Sequence, residues 1–130
     1  MATLTPTLTL VSSDLVTDDL NLSTNTSVTA NNTTGLARRP ITSTAVGTAS
    51  GQVTLYTGDD FAATAYLYIK NTDTTATDYI YVYKDGGTDN LLKLAGGDWA
   101  FMPLIADDTL KAWATTSPTV VEFMVIGTDQ

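Results

Sequence analysis

The sequence predicts an all-β fold: an antiparallel β-sandwich, jelly-roll-like or immunoglobulin-like, with an extended Thr-rich N-terminal arm. Threonine fills about a fifth of the positions, and its β-branched side chain suits a pleated surface. Short apolar runs alternate with period two and are separated by turns rich in Gly, Asp and Pro, which is typical of sandwiches and barrels. No stretch has a convincing helical period, so we expect little helix.

The chain is expected to divide into an extended N-terminal arm or first strands over residues 1–35 and a β-sandwich domain over residues 36–130. Leucines alternate in LTPTLTLV and in LNLS, but the arm has few other apolar side chains. Because so little apolar surface does not offset the entropy of ordering the arm, we expect it to lie on a partner. NNTTGLARRP, residues 31–40, is predicted to be a loop because Asn, Gly and Pro cluster there.

The second half predicts a series of antiparallel strands. QVTLYT is followed by the turn Gly58-Asp59-Asp60, ATAYLYIKN by the polar loop TDTTAT, and DYIYVYKD by the turn DGGTDN. LLKLA, WAFMPLI, LKAWAT and TVVEFMVIG follow, separated by GGD, ADDT and TSP. Pro103 has no backbone N–H for a sheet, so the WAFMPLI strand is expected to end there or to lie at an edge.

Charge and composition exclude several partners. The net charge is −8, with no His and no Cys. Such a chain repels polyphosphates at long range, so neither nucleic acid nor an anionic membrane is an expected partner. MATLTPTLTL lacks the basic start and continuous apolar segment of a signal peptide. No apolar run approaches the roughly 20 residues of a membrane helix.

Catalysis is not expected. General bases at neutral pH are usually His, and nucleophiles need an adjacent base. The acidic pairs Asp18-Asp19, Asp59-Asp60 and Asp107-Asp108 all fall in predicted turns, where Asp bonds to the local backbone. We therefore expect no catalytic residue and no cofactor.

A metal site is not expected either, although DGGTDN is superficially similar to a calcium loop. It places Asp85, Asp89 and Asn90 around two glycines. Calcium takes roughly six to eight oxygen ligands, and the spacing of an EF-hand is absent. A hairpin turn explains the two glycines better. The sequence alone leaves open whether an ion binds at Asp85–Asn90.

The tyrosines are candidate interface residues. Tyr66 and Tyr68 share one face of their strand, and Tyr79, Tyr81 and Tyr83 share one face of the next. If the two strands pair across TDTTAT, the five side chains form a cross-strand ladder with an aliphatic opposite face. Both faces then need cover, from another segment of the chain or from a neighbouring subunit. Sugar stacking is a third alternative.

Arg38, Arg39 and Trp99 complete the candidate interface. The adjacent arginines are either a solvated pair or an anchor for a carboxylate-rich partner surface. Trp99 follows the glycine pair of LLKLAGGDWAFMPL, where Gly96 and Gly97 provide the backbone freedom of a tight turn. Because nothing polar converges on Trp99, a core or subunit contact is favoured over a ligand platform.

Three stretches resemble small virion structural proteins of tailed phages of marine bacteria, cyanophages among them. They are MATLTPTLTLVSSDLVTDDLNLS, AYLYIKNTDTTATDYIYVY and LKLAGGDWAFMPL. The resemblance covers most of the chain, and Ala95 stands where a proline commonly precedes the corner glycine in that pattern. It implies a component of a virus particle that has no catalytic residues to carry over.

The expected function is therefore a non-enzymatic capsid decoration or cement protein that binds and stabilises the outer capsid shell. We expect it on the capsid surface of the virion, after synthesis in the host cytoplasm without a signal peptide. Its expected partners are the major capsid protein and neighbouring copies of itself in a homo-oligomer. Two alternatives are a tail, neck or fibre adaptor of the virion, and a carbohydrate-binding module that uses Trp99, Trp113 or the tyrosines.

Overall fold

The computed structural model describes residues 1–47, 50–58, 60–61, 65–105 and 107–129. Within these ranges the protein is all-β, with antiparallel strands and no helix. The chain divides into two compact units, Met1–Asn31 and Asn32–Gln130.

The first unit consists of two small two-stranded sheets. Its strands are β1 (Ala2–Leu4), β2 (Thr7–Ser12), β3 (Leu20–Asn25) and β4 (Val28–Ala30). Strand β1 pairs with β4, and β2 pairs with β3 in a ribbon that sets Leu10 opposite Leu22. The alternating leucines of the sequence thus lie on paired strands. The role of residues 1–35 as an arm that lies on a partner stays a prediction.

The second unit contains two larger sheets. Its strands are β5 (Asn32–Thr33), β6 (Ala37–Ile41), β7 (Val53–Tyr56), β8 (Ala65–Asn71), β9 (Ile80–Lys84), β10 (Asn90–Leu94), β11 (Trp99–Leu104), β12 (Leu110–Ala114) and β13 (Thr119–Gly127). The four-stranded sheet has the order β10-β9-β12-β7. The five-stranded sheet has the order β11-β8-β13-β5, and β6 also pairs with β13.

The strand pairs of the second unit are nested. Strand β6 pairs with β13, β7 with β12, β8 with β11, and β9 with β10. In chain order, the first strand of this series thus pairs with the last, the second with the second last, and so on inward. Consecutive strands mostly lie in different sheets, and β9–β10 is the tight hairpin that DGGTDN predicts.

One hydrophobic cluster joins the two sheets. The strands alternate in burial, so that β8 contributes Leu67 and Ile69 while β9 contributes Ile80 and Val82. Leu67, Ile69 and Ile80 have no exposed surface. Burying one such side chain contributes about 1.5–3 kcal/mol of stability. Because every second residue of the core strands is buried, many side chains on both sheets make this contribution. The cluster therefore supplies the main stabilisation of the second unit.

The stretch LLKLAGGDWAFMPL forms the corner between the sheets, because it joins β10 of one sheet to β11 of the other. Gly97 has φ +88°, a conformation that favours glycine. A Cβ on Gly96 would overlap the carbonyl oxygen of Thr75. Both strands lie at sheet edges, in agreement with the position predicted for Pro103.

Asn71 fastens this corner. It is fully buried at the end of β8, and its Nδ2 group donates to the carbonyl oxygens of Asp78, at 2.7 Å, and Leu94, at 3.1 Å. Its Oδ1 atom accepts from the backbone N–H of Asp73 at 3.0 Å. One side chain therefore links the five-stranded sheet to the beginning of β9 and the end of β10.

The loop predicted over residues 31–40 is wrong in part. Strand β6 runs through Arg38, Arg39 and Pro40 and pairs with β13 along Thr119–Phe123. Proline rules out a continuing helix, but it is tolerated at a sheet edge, where its missing N–H would face solvent. Because β6 pairs only with β13 among the described strands, Pro40 occupies such an edge.

Candidate protein interface

Along the strands of the five-stranded sheet, side chains point alternately into the core and outward. The outward-facing side chains form an outer surface that carries aromatic and apolar residues in register. We call it the five-stranded face. Its first row is Trp99, Lys70, Glu122 and Arg38 on β11, β8, β13 and β6. Its second and third rows, across β11, β8 and β13, are Phe101, Tyr68 and Met124, then Pro103, Tyr66 and Ile126, of which Ile126 is buried. A half-solvated sheet normally has a polar outer surface, so this face is unusually apolar.

Glu122 organises the polar row. The Arg38 Nε–H donates to Glu122 Oε2 at 2.6 Å, and the Tyr68 hydroxyl donates to Glu122 Oε1 at 2.9 Å. The Arg38 hydrogen bond is the main cause that lowers the pKa of Glu122, and the Tyr68 hydrogen bond adds to it. Burial, followed by the hydrogen bond to Glu122, raises the pKa of Tyr68. The two hydrogen bonds to the Glu122 carboxylate therefore fix the positions of the Arg38 and Tyr68 side chains.

Trp99 is the most exposed aromatic side chain described on this face. Its side chain is 55% exposed at the start of β11, whereas Tyr66 and Phe101 stack with ring centroids 5.7 Å apart and 10° between planes. Large aromatic side chains are common anchors in protein interfaces, where they bury much area at little entropic cost. Trp99 therefore has the position of an interface anchor.

The two arginines point to different places, because neighbours in a strand face opposite sides of the sheet. Arg38 lies on the five-stranded face, with its side chain 68% exposed beside Glu122. The guanidinium of Arg39 lies 5.6 Å from the centre of the Phe123 ring and lines a cavity of about 240 Å³ with Tyr56 and Asp60. The sequence predicts one solvated pair or one joint anchor, whereas the structure places the two guanidinium groups on opposite sides of the sheet.

The outer surface of the four-stranded sheet carries a second aromatic cluster, which we call the four-stranded face. Tyr81 and Trp113 stack with centroids 4.5 Å apart and 12° between planes, and Trp113 Nε1 donates to Asn90 Oδ1 at 2.9 Å. The Lys93 ammonium lies 3.9 Å from the centre of the Tyr79 ring. A cation over an aromatic ring is worth about 0.5–1 kcal/mol at an exposed site.

The predicted five-tyrosine ladder is wrong, because β8 and β9 do not pair. Tyr66 and Tyr68 lie on the five-stranded face, while Tyr79 and Tyr81 lie on the four-stranded face. TDTTAT carries the chain from one sheet to the other, whereas adjacency in sequence suggested a hairpin. The aliphatic residues that alternate with the tyrosines, among them Leu67 and Ile80, are covered by the shared core. Cover for the tyrosine surfaces stays a prediction.

Tyr83 differs from the other tyrosines because it is buried, with 1% of its surface exposed. Burial raises the pKa of its hydroxyl, which lies near the backbone of Gly47 and the side chain of Gln52. In the described part of the chain that hydroxyl has no hydrogen bond of ordinary geometry. Tyr83 is thus a packing residue under the loop that precedes β7, and it is not available to a partner.

Several surface residues were missed by the sequence reasoning. Phe101 and Met124 were assigned to strands without a role, although strand alternation places them beside Tyr68. The pairing of Glu122 with Arg38 depends on β13 and β6, which are distant in the chain, whereas Lys93 lies on β10 and Tyr79 directly precedes β9 in the β9–β10 hairpin. The period-two pattern could have found Phe101 and Met124, and the predicted hairpin could have found Lys93 beside Tyr79. No local signal could have found the Glu122–Arg38 pair.

The acidic turns engage their own chain. Asp85 accepts from the Gly86 N–H at 3.0 Å and pairs with Lys111 at 3.0 Å, while Lys84 pairs with Asp108. Asp59, one half of a predicted acidic pair, lies outside the described residues. Within the described ranges no group of three or more metal-binding side chains is suitably clustered. Nor does any helix there have the length and apolar character for crossing a membrane.

Comparisons with protein-family models, with curated proteins and with solved structures found no match to this chain.

Proposed function

We propose that the second unit is a β-sandwich of the jelly-roll type. The nested pairs β6–β13, β7–β12, β8–β11 and β9–β10 support this topology, because a jelly roll is an antiparallel ribbon of four strand pairs wrapped into two sheets. The single hydrophobic cluster shared by both sheets supports face-to-face packing. Of the two sandwich types expected from the sequence, the strand order favours the jelly roll.

We further propose that the protein is a non-enzymatic virion structural protein: a capsid decoration or cement protein that binds and stabilises the outer capsid shell. The observation that carries this proposal is the presence of an aromatic cluster on the outer surface of each large sheet. Tyr66 stacks on Phe101 on one sheet, and Tyr81 stacks on Trp113 on the other. A protein that joins neighbours on a shell needs two adhesive surfaces, whereas a module that binds one ligand needs one.

The chemistry of these surfaces also favours protein partners. Stacked pairs cover one ring face of each partner, so Tyr81 and Trp113 offer less free ring surface for sugar stacking than separate rings would. The aromatic groups are accompanied by cations, Lys93 on one face and Arg38 and Lys70 on the other. Aromatic and arginine side chains are enriched at the centres of protein interfaces.

The partners in this proposal are the major capsid protein and neighbouring copies of the same chain on the virion surface. The Thr-rich first unit would act as the arm, because a small sheet with exposed leucines gains stability by lying on another surface. Its resemblance to small virion proteins of tailed marine phages supports the same role.

The copy number of the protein in purified virus particles tests this proposal. Quantitative mass spectrometry should find a copy number comparable to that of the major capsid subunit. A copy number that matches a single ring at the neck or tail would instead assign an adaptor role. Absence of the protein from purified particles would contradict both assignments.

Carbohydrate binding is a second candidate, and Trp99 is the observation that favours it. Its side chain is 55% exposed, and no ring contact with Trp99 occurs among the described residues. A glycan array probed with the purified full chain tests this candidate, with Trp99→Ser as the control variant. Binding that Trp99→Ser abolishes would support a sugar site, and an array without hits would exclude it.

A further inference from the structure

The β2–β3 ribbon of the first unit has one apolar face that is open to solvent. Leu8, Leu10 and Leu22 lie on this leucine face and are 39%, 45% and 43% exposed. The opposite side of the ribbon carries mainly Thr, Ser and Asn, together with Val11. A two-stranded ribbon alone is marginally stable in water, so its leucine face needs a covering surface.

The rows of side chains on the five-stranded face have the same spacing as the rows on the leucine face. On the ribbon the side chains recur in rows two residues apart: Leu20, then Leu10 with Leu22, then Leu8. The five-stranded face also has rows two residues apart, led by Trp99, Phe101 and Pro103 on its edge strand. Both sets of rows therefore repeat at about 7 Å, which allows leucine rows to lie between aromatic rows.

The charges of the two surfaces are complementary. Residues 1–31 contain three aspartates and no lysine or arginine, and all three lie in the loop that joins β2 to β3: Asp14, Asp18 and Asp19. The row at one end of the five-stranded face contains Lys70 and Arg38 against one carboxylate, Glu122. With the loop placed over this cationic row, the leucines lie over the two apolar rows. This alignment fixes both the direction and the register of docking.

We propose that the leucine face of the β2–β3 ribbon docks on the five-stranded face of a second copy of this chain. The inference rests on the proposed role of the five-stranded face as a protein contact. One ribbon of two six-residue strands covers a footprint of only about 200 Å². A stable interface buries about 1,200 Å² or more, counting both partners. A single docked ribbon, at about 400 Å² counting both partners, is therefore too small. A closed, symmetric dimer in which each copy donates a ribbon and receives one buries about 800 Å², the size of a weak, concentration-dependent interface.

Analytical ultracentrifugation of the full chain tests this proposal. Leu10→Ser/Leu22→Ser removes the centre of the leucine face, and Trp99→Ser/Lys70→Glu alters the receiving face at the exposed Trp99 and the half-buried Lys70. Val11→Ser is the matched control, because Val11 is 72% exposed on the opposite side of the same ribbon. We expect wild type and Val11→Ser to form the same oligomer. Each double variant should dissociate at a concentration at least about tenfold higher.

Mixing the two double variants separates docking from loss of folding. The ribbon variant keeps an intact five-stranded face, and the face variant keeps an intact ribbon. In a mixture of the two, one intact ribbon can dock on one intact face. The mixture should therefore form a heterodimer that is weaker than the wild-type oligomer but associates at a lower concentration than either variant alone. No association in the mixture, equal dissociation of Val11→Ser, or a monomeric wild type would each overturn the proposal. A protein that is present in particles but monomeric in solution would contradict this inference and leave the proposed virion role intact.

Discussion

Glu122 is the residue whose environment is most clearly defined by charge. Its carboxylate accepts from Arg38 at 2.6 Å and from Tyr68 at 2.9 Å, and both bonds lower its pKa in the folded protein below the usual 4.5. A group with a depressed folded pKa contributes stability that is present above the unfolded pKa. That contribution is lost as the pH falls through the folded pKa.

The pH dependence of stability should therefore reveal this carboxylate. In urea unfolding, Glu122→Gln should be less stable than wild type near neutral pH. The difference should shrink as the pH falls below about 4.5, because protonation then removes the same interaction from wild type. Carboxyl NMR titration of Arg38→Met is the control, and it should place the pKa of Glu122 above the wild-type value. An unchanged Glu122 pKa in Arg38→Met would contradict the assigned cause.

Gly96 and Gly87 give a matched pair of glycine substitutions. A Cβ on Gly96 would overlap the backbone of Thr75, whereas a Cβ on Gly87 would meet only the Lys84 carbonyl oxygen at 3.4 Å. Overpacking against backbone costs about 1–3 kcal/mol. Gly96→Ala should lower the free energy of unfolding by that amount in urea titrations, while Gly87→Ala should lower it by much less. Equal losses would show that the corner does not pack as tightly as described.

At the scale of elements, the joint between the sheets depends on Asn71. Its three hydrogen bonds reach Asp78, Leu94 and Asp73 from a fully buried position. Asn71→Ala would leave the carbonyl groups of Asp78, just before β9, and Leu94, at the end of β10, without this donor, at about 1–3 kcal/mol for each buried group that remains unpaired. We expect a loss of roughly 2–4 kcal/mol in urea unfolding. The exposed Asn21→Ala is the control, and an equally small effect at both positions would refute the role of Asn71.

Strand positions could be predicted from the sequence, but strand partners could not. TVVEFMVIG and LKAWAT alternate so regularly that β13 and β12 coincide with them almost residue for residue. The alternation of apolar and polar residues predicts which side chains share a face of a strand, but it does not predict which other strand pairs with that strand. The pairs β6–β13 and β7–β12 join strands far apart in the chain, whereas the sequence suggests that the adjacent strands on either side of TDTTAT form a hairpin. The same limit explains why the sequence does not predict the Glu122–Arg38 contact between β13 and β6.

At the scale of the whole molecule, two features combine: a second unit that contains the large hydrophobic cluster, and a first unit in which Val28 and Ala30 are the buried apolar residues of the described chain. The described members of the hydrophobic cluster all lie between Ala37 and Val125. The first unit instead contributes exposed leucines and three of the carboxylates behind the net charge of −8. This division agrees with the proposal that the first unit contacts a neighbouring molecule while the second unit contains the core.

The division predicts that residues 32–130 fold alone. Because the cluster lies entirely in the second unit, removing residues 1–31 should change the melting temperature by less than about 5 °C, or roughly 1 kcal/mol for a domain of this size. Scanning calorimetry of the fragment should show one cooperative transition. The matched control is the fragment 42–130, which also lacks β5, β6 and the fully buried Ile41. That fragment exposes the edge of β13 and should be strongly destabilised. A broad, non-cooperative transition for residues 32–130 would mean that the first unit belongs to the same folding unit as the sheets.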